Sequence, residues 1–263
     1  MTALTLTKHH GLGNDFLVCL RPPAGDLADV ARRACDRRRG IGADGLLVAT
    51  SEDGFDARMT LYNADGSRAE MSGNGIRCFA QALAMERRTL DTLRVLTDAG
   101  ERTIEMWATD EPFVLHASVS MGLALAMCAP ANWAALGVDP LRPVLHLSLG
   151  NPHSVVAVDD VSEVELQALG ELVPDVNLEI VAAGPTDDAI RMRVHERGAG
   201  ITQACGTGAT AAAFAAARWG LVHPRHREIT VHMDGGDAKV VLGDDDLVLI
   251  GPTAYIASVN IDV

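Results

Sequence analysis

Lysine is almost missing from this chain: Lys8 and Lys239 are the two present, among 22 Lys and Arg residues. Chemistry through pyridoxal phosphate needs a Schiff-base lysine, so amino-acid chemistry here is expected to run without that cofactor. Basic charge is short as well, because 35 Asp and Glu leave a net charge of −13. A nucleic-acid partner, which calls for a basic face to displace phosphate counterions, is therefore not expected. The acidity reads as a solubility feature rather than a substrate signal. Long apolar runs are absent: Met121–Pro130 and Ala209–Leu221 fall short of the ~20 residues that a membrane span needs. The opening, Met1 to Gly11, has no basic stretch followed by an apolar one, so no signal peptide is expected. Cysteine is odd in number, with Cys19, Cys35, Cys78, Cys128 and Cys205, and no C-x-x-C pair occurs. That pattern excludes a disulfide framework and a zinc ribbon, and a reduced, cytoplasmic setting without a metal site is expected.

What is present is an ordinary globular balance, 48% hydrophobic and 22% charged over 263 residues, enough for one large domain or two smaller ones. β-Branched or alternating runs predict strands at Leu4–Lys8, Phe16–Leu20, Met59–Tyr62, Arg94–Thr97, Thr103–Trp107 and Val114–Met121. Further strands are predicted at Val144–Leu149, Val155–Val158, Ile190–Val194, Ile229–His232, Lys239–Leu242, Leu247–Ile250 and Tyr255–Ile261. Helices are predicted over Asp26–Arg38, Asn74–Arg88, Val164–Leu172 and Gly206–Trp219, with Asp26 as an N-cap and Gly220 closing the last.

A weak internal repeat organises these elements. Gly13-Asn14-Asp15-Phe16 leads into one apolar strand and Gly150-Asn151-Pro152-His153 into another, an offset of 137. Ser72-Gly73-Asn74-Gly75 opens one helix and Cys205-Gly206-Thr207-Gly208 opens another, an offset of 133. Glycines at a helix start let backbone N–H groups approach a ligand, and the unpaired first-turn amides favour an anion such as a carboxylate. Cys205 stands at such a start, a position that lowers a thiol's pKa toward neutrality and suits it to acid/base work. The other four cysteines read as buried structural residues, Cys19 and Cys128 because they lie in apolar runs. A cradled carboxylate with a proton-transfer group on each face is what inversion of a stereocentre requires, fixed dipoles stabilising the carbanion.

With these residues in hand, the chain resembles the diaminopimelate epimerases. The resemblance runs over nearly its whole length, through Lys8–Phe16, Gly40–Gly45, Asn63–Ser67, Gly73–Gly75, Gly150–His153, Val176-Asn177, Glu196–Gly200 and Thr202–Gly208. It implies an α+β fold of two pseudo-symmetric lobes, each of β-strands around a central helix, with the active site in the cleft between them. The lobes are expected at 1–117, joined by 250–263, and at 118–249. It implies conversion of LL- to meso-diaminopimelate without a cofactor, and allows a homodimer. Cys205 matches one catalytic cysteine of the family. Gly73-Asn74 and Gly206-Thr207 match the amide cradles for the reacting carboxylate. Asn14, Asn63, Asn151, Asn177 and Arg197 match the substrate-holding set, Arg197 suiting a bidentate grip on the distal carboxylate. Glu196 matches an acid near the reacting end, and Glu196 and His153 are expected to set the protonation of the catalytic pair.

Two positions depart from the family pattern. Gly45 stands where a glutamine is usual, which leaves one substrate contact either missing or supplied elsewhere. Ser72 stands where the other catalytic cysteine belongs, and a hydroxyl is a far weaker acid than a thiol. Three readings of Ser72 are open: a natural serine that turns over with help from water or a neighbour, an introduced cysteine-to-serine exchange, or one-base chemistry as in a dehydratase or isomerase of the proline racemase-like group. A protein that binds diaminopimelate without catalysis is a further alternative. The distal set Asn63, Asn151, Asn177 and Arg197 favours the epimerase, because a proline-type substrate has no distal amino-acid group to hold.

Overall fold

The computed structural model describes residues 3–262. The chain divides into two compact units, one of Met1–Val119 with Gly251–Val263 and one of Ser120–Ile250.

In the first unit the order is β1 (Ala3–Gly11), β2 (Asn14–Cys19), α1 (Leu27–Cys35), β3 (Gly45–Thr50), β4 (Ala57–Asn63) and β5 (Arg68–Ala69). There follow α2 (Gly73–Arg87), β6 (Leu93–Thr97), β7 (Gly100–Ala108) and β8 (Val114–Gly122). The second unit continues with β9 (Leu125–Ala126), β10 (Val144–Ser148), β11 (Pro152–Ala157), α3 (Leu166–Gly170), β12 (Asn177–Ala183) and β13 (Ala189–Glu196). It ends with β14 (Gly200–Thr202), α4 (Gly206–Trp219), β15 (Glu228–Met233), β16 (Gly236–Leu242) and β17 (Leu247–Asp262).

The ladders repeat. β1–β2 is antiparallel, β2–β3 parallel, β3–β4 antiparallel and β4–β6 parallel. β10–β11, β11–β12, β12–β13 and β13–β15 follow the same sequence of senses. Each repeat then closes through antiparallel pairs, β6–β7–β8 in one and β15–β16–β17 in the other. The two strands predicted at Leu247–Ile250 and Tyr255–Ile261 are one strand, β17: its first residues pair with β16 and those from Ala254 pair with β1.

Both long helices are buried for most of their length because their residues are small. α2 is buried without a break from Gly73 to Ala84 and packs on β1, β2, β4 and β7. α4, rich in alanine, is buried from Gly206 to Ala213 and packs on β10 to β13, β15 and β16. Alanine and glycine let the strands approach the helix axis closely, so little void is left. Asp26 caps α1 as expected, its carboxylate accepting from the N–H groups of Ala28 and Asp29. Gly220 closes α4 with φ 73°, a left-handed conformation that glycine adopts without strain.

Some sequence expectations need correction. The helix predicted over Asp26–Arg38 stops at Cys35, because the Asp36 carboxylate turns back to accept from the N–H groups of Arg38 and Arg39. The helix predicted over Val164–Leu172 is the single turn α3, preceded by a 3₁₀ turn at Val161–Glu163. Strands β3 and β12 were not predicted at all. Cys128, expected to be buried, is exposed on a segment whose Leu123, Leu125 and Met127 are exposed as well. Among the described residues no helix is long and apolar enough to cross a membrane.

Candidate active site

The head of α4 carries the densest polar cluster around a reactive side chain. Cys205 is the N-cap, in an extended conformation, and its sulfur accepts from the Gly208 N–H at 3.3 Å. The Thr207 hydroxyl lies 3.4 Å from the same sulfur. Behind Thr207 runs a buried chain: Asn151 Nδ2 donates to Thr207 Oγ1 at 3.2 Å, and Asn151 Oδ1 meets His153 Nε2 at 3.0 Å. His153 Nδ1 meets Glu179 Oε1 at 2.6 Å, and both side chains are fully buried. Glu196, at the end of β13, accepts from the Thr202 hydroxyl, and its carboxyl acts on Cys205 as a neighbouring charge.

This surrounding reverses the expectation drawn from the helix start alone. Burial, and then the carboxyl of Glu196, push the Cys205 thiol well above its ordinary value, against the hydrogen bonds from Thr207 and Gly208 that favour the thiolate. Burial likewise raises Glu179 and Glu196. The resting group is thus a thiol placed to give a proton, with a hydroxyl, an amide N–H and the positive end of a helix ready to receive the thiolate it leaves.

Of the remaining residues expected to hold substrate in this unit, Asn177 serves the backbone. Its Nδ2 donates to Pro152 O at 3.1 Å and its Oδ1 accepts from the Arg197 N–H at 2.9 Å. It therefore ties β11 to the turn that presents Glu196 and Arg197. Gly206 and Thr207 are buried in the first turn of α4.

The head of α2 has the same backbone with different side chains. Ser72 is the N-cap, half-buried, and its Oγ accepts from the Gly75 N–H at 3.0 Å. Asn74 Nδ2 donates to Asn14 Oδ1 at 3.2 Å, and Asn14 Nδ2 donates to Asp44 Oδ2 at 2.7 Å. One turn into the helix the fully buried Arg77 guanidinium donates to Asn74 Oδ1 at 2.7 Å, Gly73 O at 3.0 Å and Pro252 O at 3.2 Å. These partners are neutral, and burial pushes Arg77 down to about 10. Gly11 and Gly251 make its space: a Cβ on either would lie 3.2 or 3.1 Å from the guanidinium. Asn63 stands in the Asn63–Ser67 turn, its Nδ2 donating to Ser67 Oγ at 3.0 Å. Gly45 begins β3 beside it, and a Cβ there would lie 2.7 Å from Tyr62 O, so a glutamine could enter only with a shift of backbone.

Sequence reading missed Glu179 and the Thr202 hydroxyl. The signal for Glu179 was available: one acid in the otherwise apolar run Leu178–Ala183. A buried acid in such a run needs a partner.

The family model described as diaminopimelate epimerase matches residues 6–125 and 146–256. The chain belongs to the diaminopimelate epimerase family. This is a family of isomerases, and a diaminopimelate epimerase of Magnetococcus marinus is 39% identical over 95% of this chain and 94% of its own. A diaminopimelate epimerase of Desulfitobacterium hafniense is 36% identical over 96% of both chains. Among solved structures, a phenazine biosynthesis protein of the PhzF family from Bacillus anthracis shares the fold, with TM-score 0.75 at 13% identity and full coverage of both chains.

Proposed function

We propose that this protein interconverts LL- and meso-diaminopimelate by proton transfer at the α-carbon, without a cofactor. Cys205 exchanges the proton on one face, and Ser72 takes the place of the opposing group. The observation that carries this reading is the Cys205 sulfur at the head of α4. It accepts from Gly208 N–H and is backed by the chain Thr207–Asn151–His153–Glu179. In this reading the units are lobes built around α2 and α4, and the helix starts bind the reacting carboxylate of the substrate. First-turn amides aimed at that carboxylate stabilise charge passing onto it when the α-proton leaves. Asn14, Asn63, Asn151, Asn177 and Arg197 orient the substrate, and Arg197 binds the distal carboxylate.

Two-face chemistry places the proton burden unevenly. The thiol at 205 delivers a proton and afterwards serves as thiolate base for the reverse direction. Ser72 removes or supplies the other proton far less readily, so turnover is expected to be slow. Solvent deuterium exchange at the α-carbon of LL- and meso-diaminopimelate, followed by NMR, tests the reading. Exchange from both isomers is expected, Ser72→Cys raising inversion at least tenfold and Cys205→Ala abolishing it. No exchange from either isomer in the folded protein would defeat the proposal. Exchange from one isomer without inversion would replace it with one-base chemistry at Cys205.

A further inference from the structure

The repeat that relates the two units breaks around Cys205. The β2–β3 ladder sets Phe16 opposite Gly45 and Val18 opposite Leu47. The β11–β12 ladder sets His153 opposite Asn177 and Val155 opposite Glu179. Phe16 thus corresponds to His153, and Leu47 to Glu179. The helices agree. A Cβ on Gly75 would lie 3.2 Å from Ser72 Oγ and 3.3 Å from Leu47 Cδ2. On Gly208 it would lie 3.2 Å from Cys205 Sγ and 2.8 Å from Glu179 Oε1. Beside Ser72 the repeat supplies a phenylalanine and a leucine; beside Cys205 it supplies an imidazole and a carboxyl.

Burying a carboxyl where a leucine fits is costly, and hydrogen-bond directions show what it does. Asn151 Nδ2 donates to Thr207, so Asn151 Oδ1 is the acceptor that faces His153, and His153 Nε2 carries a proton. Nδ1 then faces Glu179 Oε1 across 2.6 Å with one proton between them. Glu179 Oε2 has no hydrogen-bond partner among the described residues, which disfavours a full carboxylate charge and favours sharing that proton. The titratable groups that face Glu179 are His153 on β11, Glu196 on β13 and Cys205 at the head of α4.

The geometry points to Glu179 as a positioning residue for Cys205. With His153 it forms a neutral, proton-sharing pair that fixes the imidazole as an Nε2–H donor. Through Asn151 that donor orients the Thr207 hydroxyl, which donates to the sulfur when Cys205 becomes a thiolate. This deepens the epimerase reading and rests on Cys205 being the reacting thiol.

The test follows the rate of Cys205 alkylation by iodoacetamide against pH, a readout that needs no turnover. It is made in a Cys128→Ser background, because Cys128 is exposed and the other cysteines are buried. Glu179→Gln keeps a group that can donate to Nδ1 and so preserves the Nε2–H form; its pH midpoint is expected to match the wild type. Glu179→Leu is expected to raise the midpoint by about one pH unit, slowing alkylation at neutral pH about tenfold, the loss of one hydrogen bond to a charged sulfur. The pair His153→Phe with Glu179→Leu copies the packing of Phe16 and Leu47, and is expected to behave as Glu179→Leu, so the test survives a single variant that fails to fold. A midpoint that falls in these leucine variants would mean Glu179 acts as a bare negative charge, and the proposal is overturned. An unchanged midpoint, or Glu179→Gln shifting as far as Glu179→Leu, overturns it equally. Deuterium exchange measured in parallel separates the two ideas: its absence in the wild type defeats the epimerase reading and leaves the alkylation result intact.

Discussion

Acidification should weaken the fold through one histidine far from Cys205 in sequence. His9 is fully buried on β1, with Nδ1 2.9 Å from Gln81 Oε1 and Nε2 2.9 Å from Thr7 Oγ1. Gln81 Nε2 donates to Phe113 O and its Oε1 accepts from Thr253, so Gln81 Oε1 is an acceptor toward His9 as well. His9 is therefore neutral with its proton on Nδ1, and it accepts from the Thr7 hydroxyl at Nε2. A second proton, on Nε2, would have to turn the Thr7 hydroxyl round and put a charge in the core, and burial lowers His9 from 6.5 to about 4. The folded state binds this proton less readily than the unfolded chain, so the stability due to His9 is complete above about pH 6.5 and is lost as the pH falls through 4. At about 1.4 kcal/mol per pH unit, the loss is about 2 kcal/mol at pH 5 and about 3 kcal/mol at pH 4. Glu179 and Glu196, whose carboxyls are raised, contribute with opposite sign, since their folded forms hold protons more readily than the unfolded chain. The His9 share is therefore isolated by difference. Urea unfolding of the wild type and of His9→Gln at pH 7, 5 and 4 should show the wild type losing about 3 kcal/mol more than the variant between pH 7 and pH 4. Parallel curves for the two proteins would refute both the burial argument and the tautomer assigned to His9.

Two further substitutions test how the helix starts are built. Ser72→Ala removes the hydroxyl that caps Gly75 N–H and should lower unfolding free energy by about 1 kcal/mol in urea titrations; no change would mean that water caps α2 as well as the serine does. Gly208→Ala puts a methyl 2.8 Å from Glu179 Oε1 and 3.2 Å from Cys205 Sγ, so it should cost about 1–3 kcal/mol by calorimetry and slow Cys205 alkylation. Alkylation at the wild-type rate would show that the carboxyl can withdraw without disturbing the sulfur.

Much of this architecture is legible in the residues because local signals agree with one another. Asp26, Gly220 and the two glycine-rich helix starts mark helix ends by capping chemistry, which acts over a few residues and leaves a signature in order along the chain. The strands read from alternation are those with one face on a core, such as β6 and β7, where buried and half-exposed residues alternate. β3 and β12 escaped because they are buried on both faces. Five of six residues in β3 and six of seven in β12 are buried, so neither shows a period of two. The helix over Asp26–Arg38 was read too long because arginines sustain helical propensity, while the stop depends on an Asp36 side chain reaching its own backbone.

The same limit applies to the site. Ser72 and Cys205 could be aligned from sequence because each belongs to a short motif with fixed spacing. Glu179 belongs to no motif, and its effect reaches Cys205 only through register: β11 beside β12 puts His153 within reach of it, and Gly208 lets the carboxyl approach the head of α4. A helix start taken by itself argues for a lowered thiol pKa. With the Glu196 carboxyl and full burial added, the balance goes the other way, and Cys205 rests protonated. The helix dipole and the Thr207 and Gly208 donors then act on the thiolate only after the proton has left, which is when a group that alternates between acid and base needs them. Ser72 has the capping geometry but, in place of His153 and Glu179, the positions of Phe16 and Leu47, so restoring a cysteine at 72 supplies the thiol and not its surroundings. The two helix starts are therefore unequal by construction, with the titrating network built around Cys205.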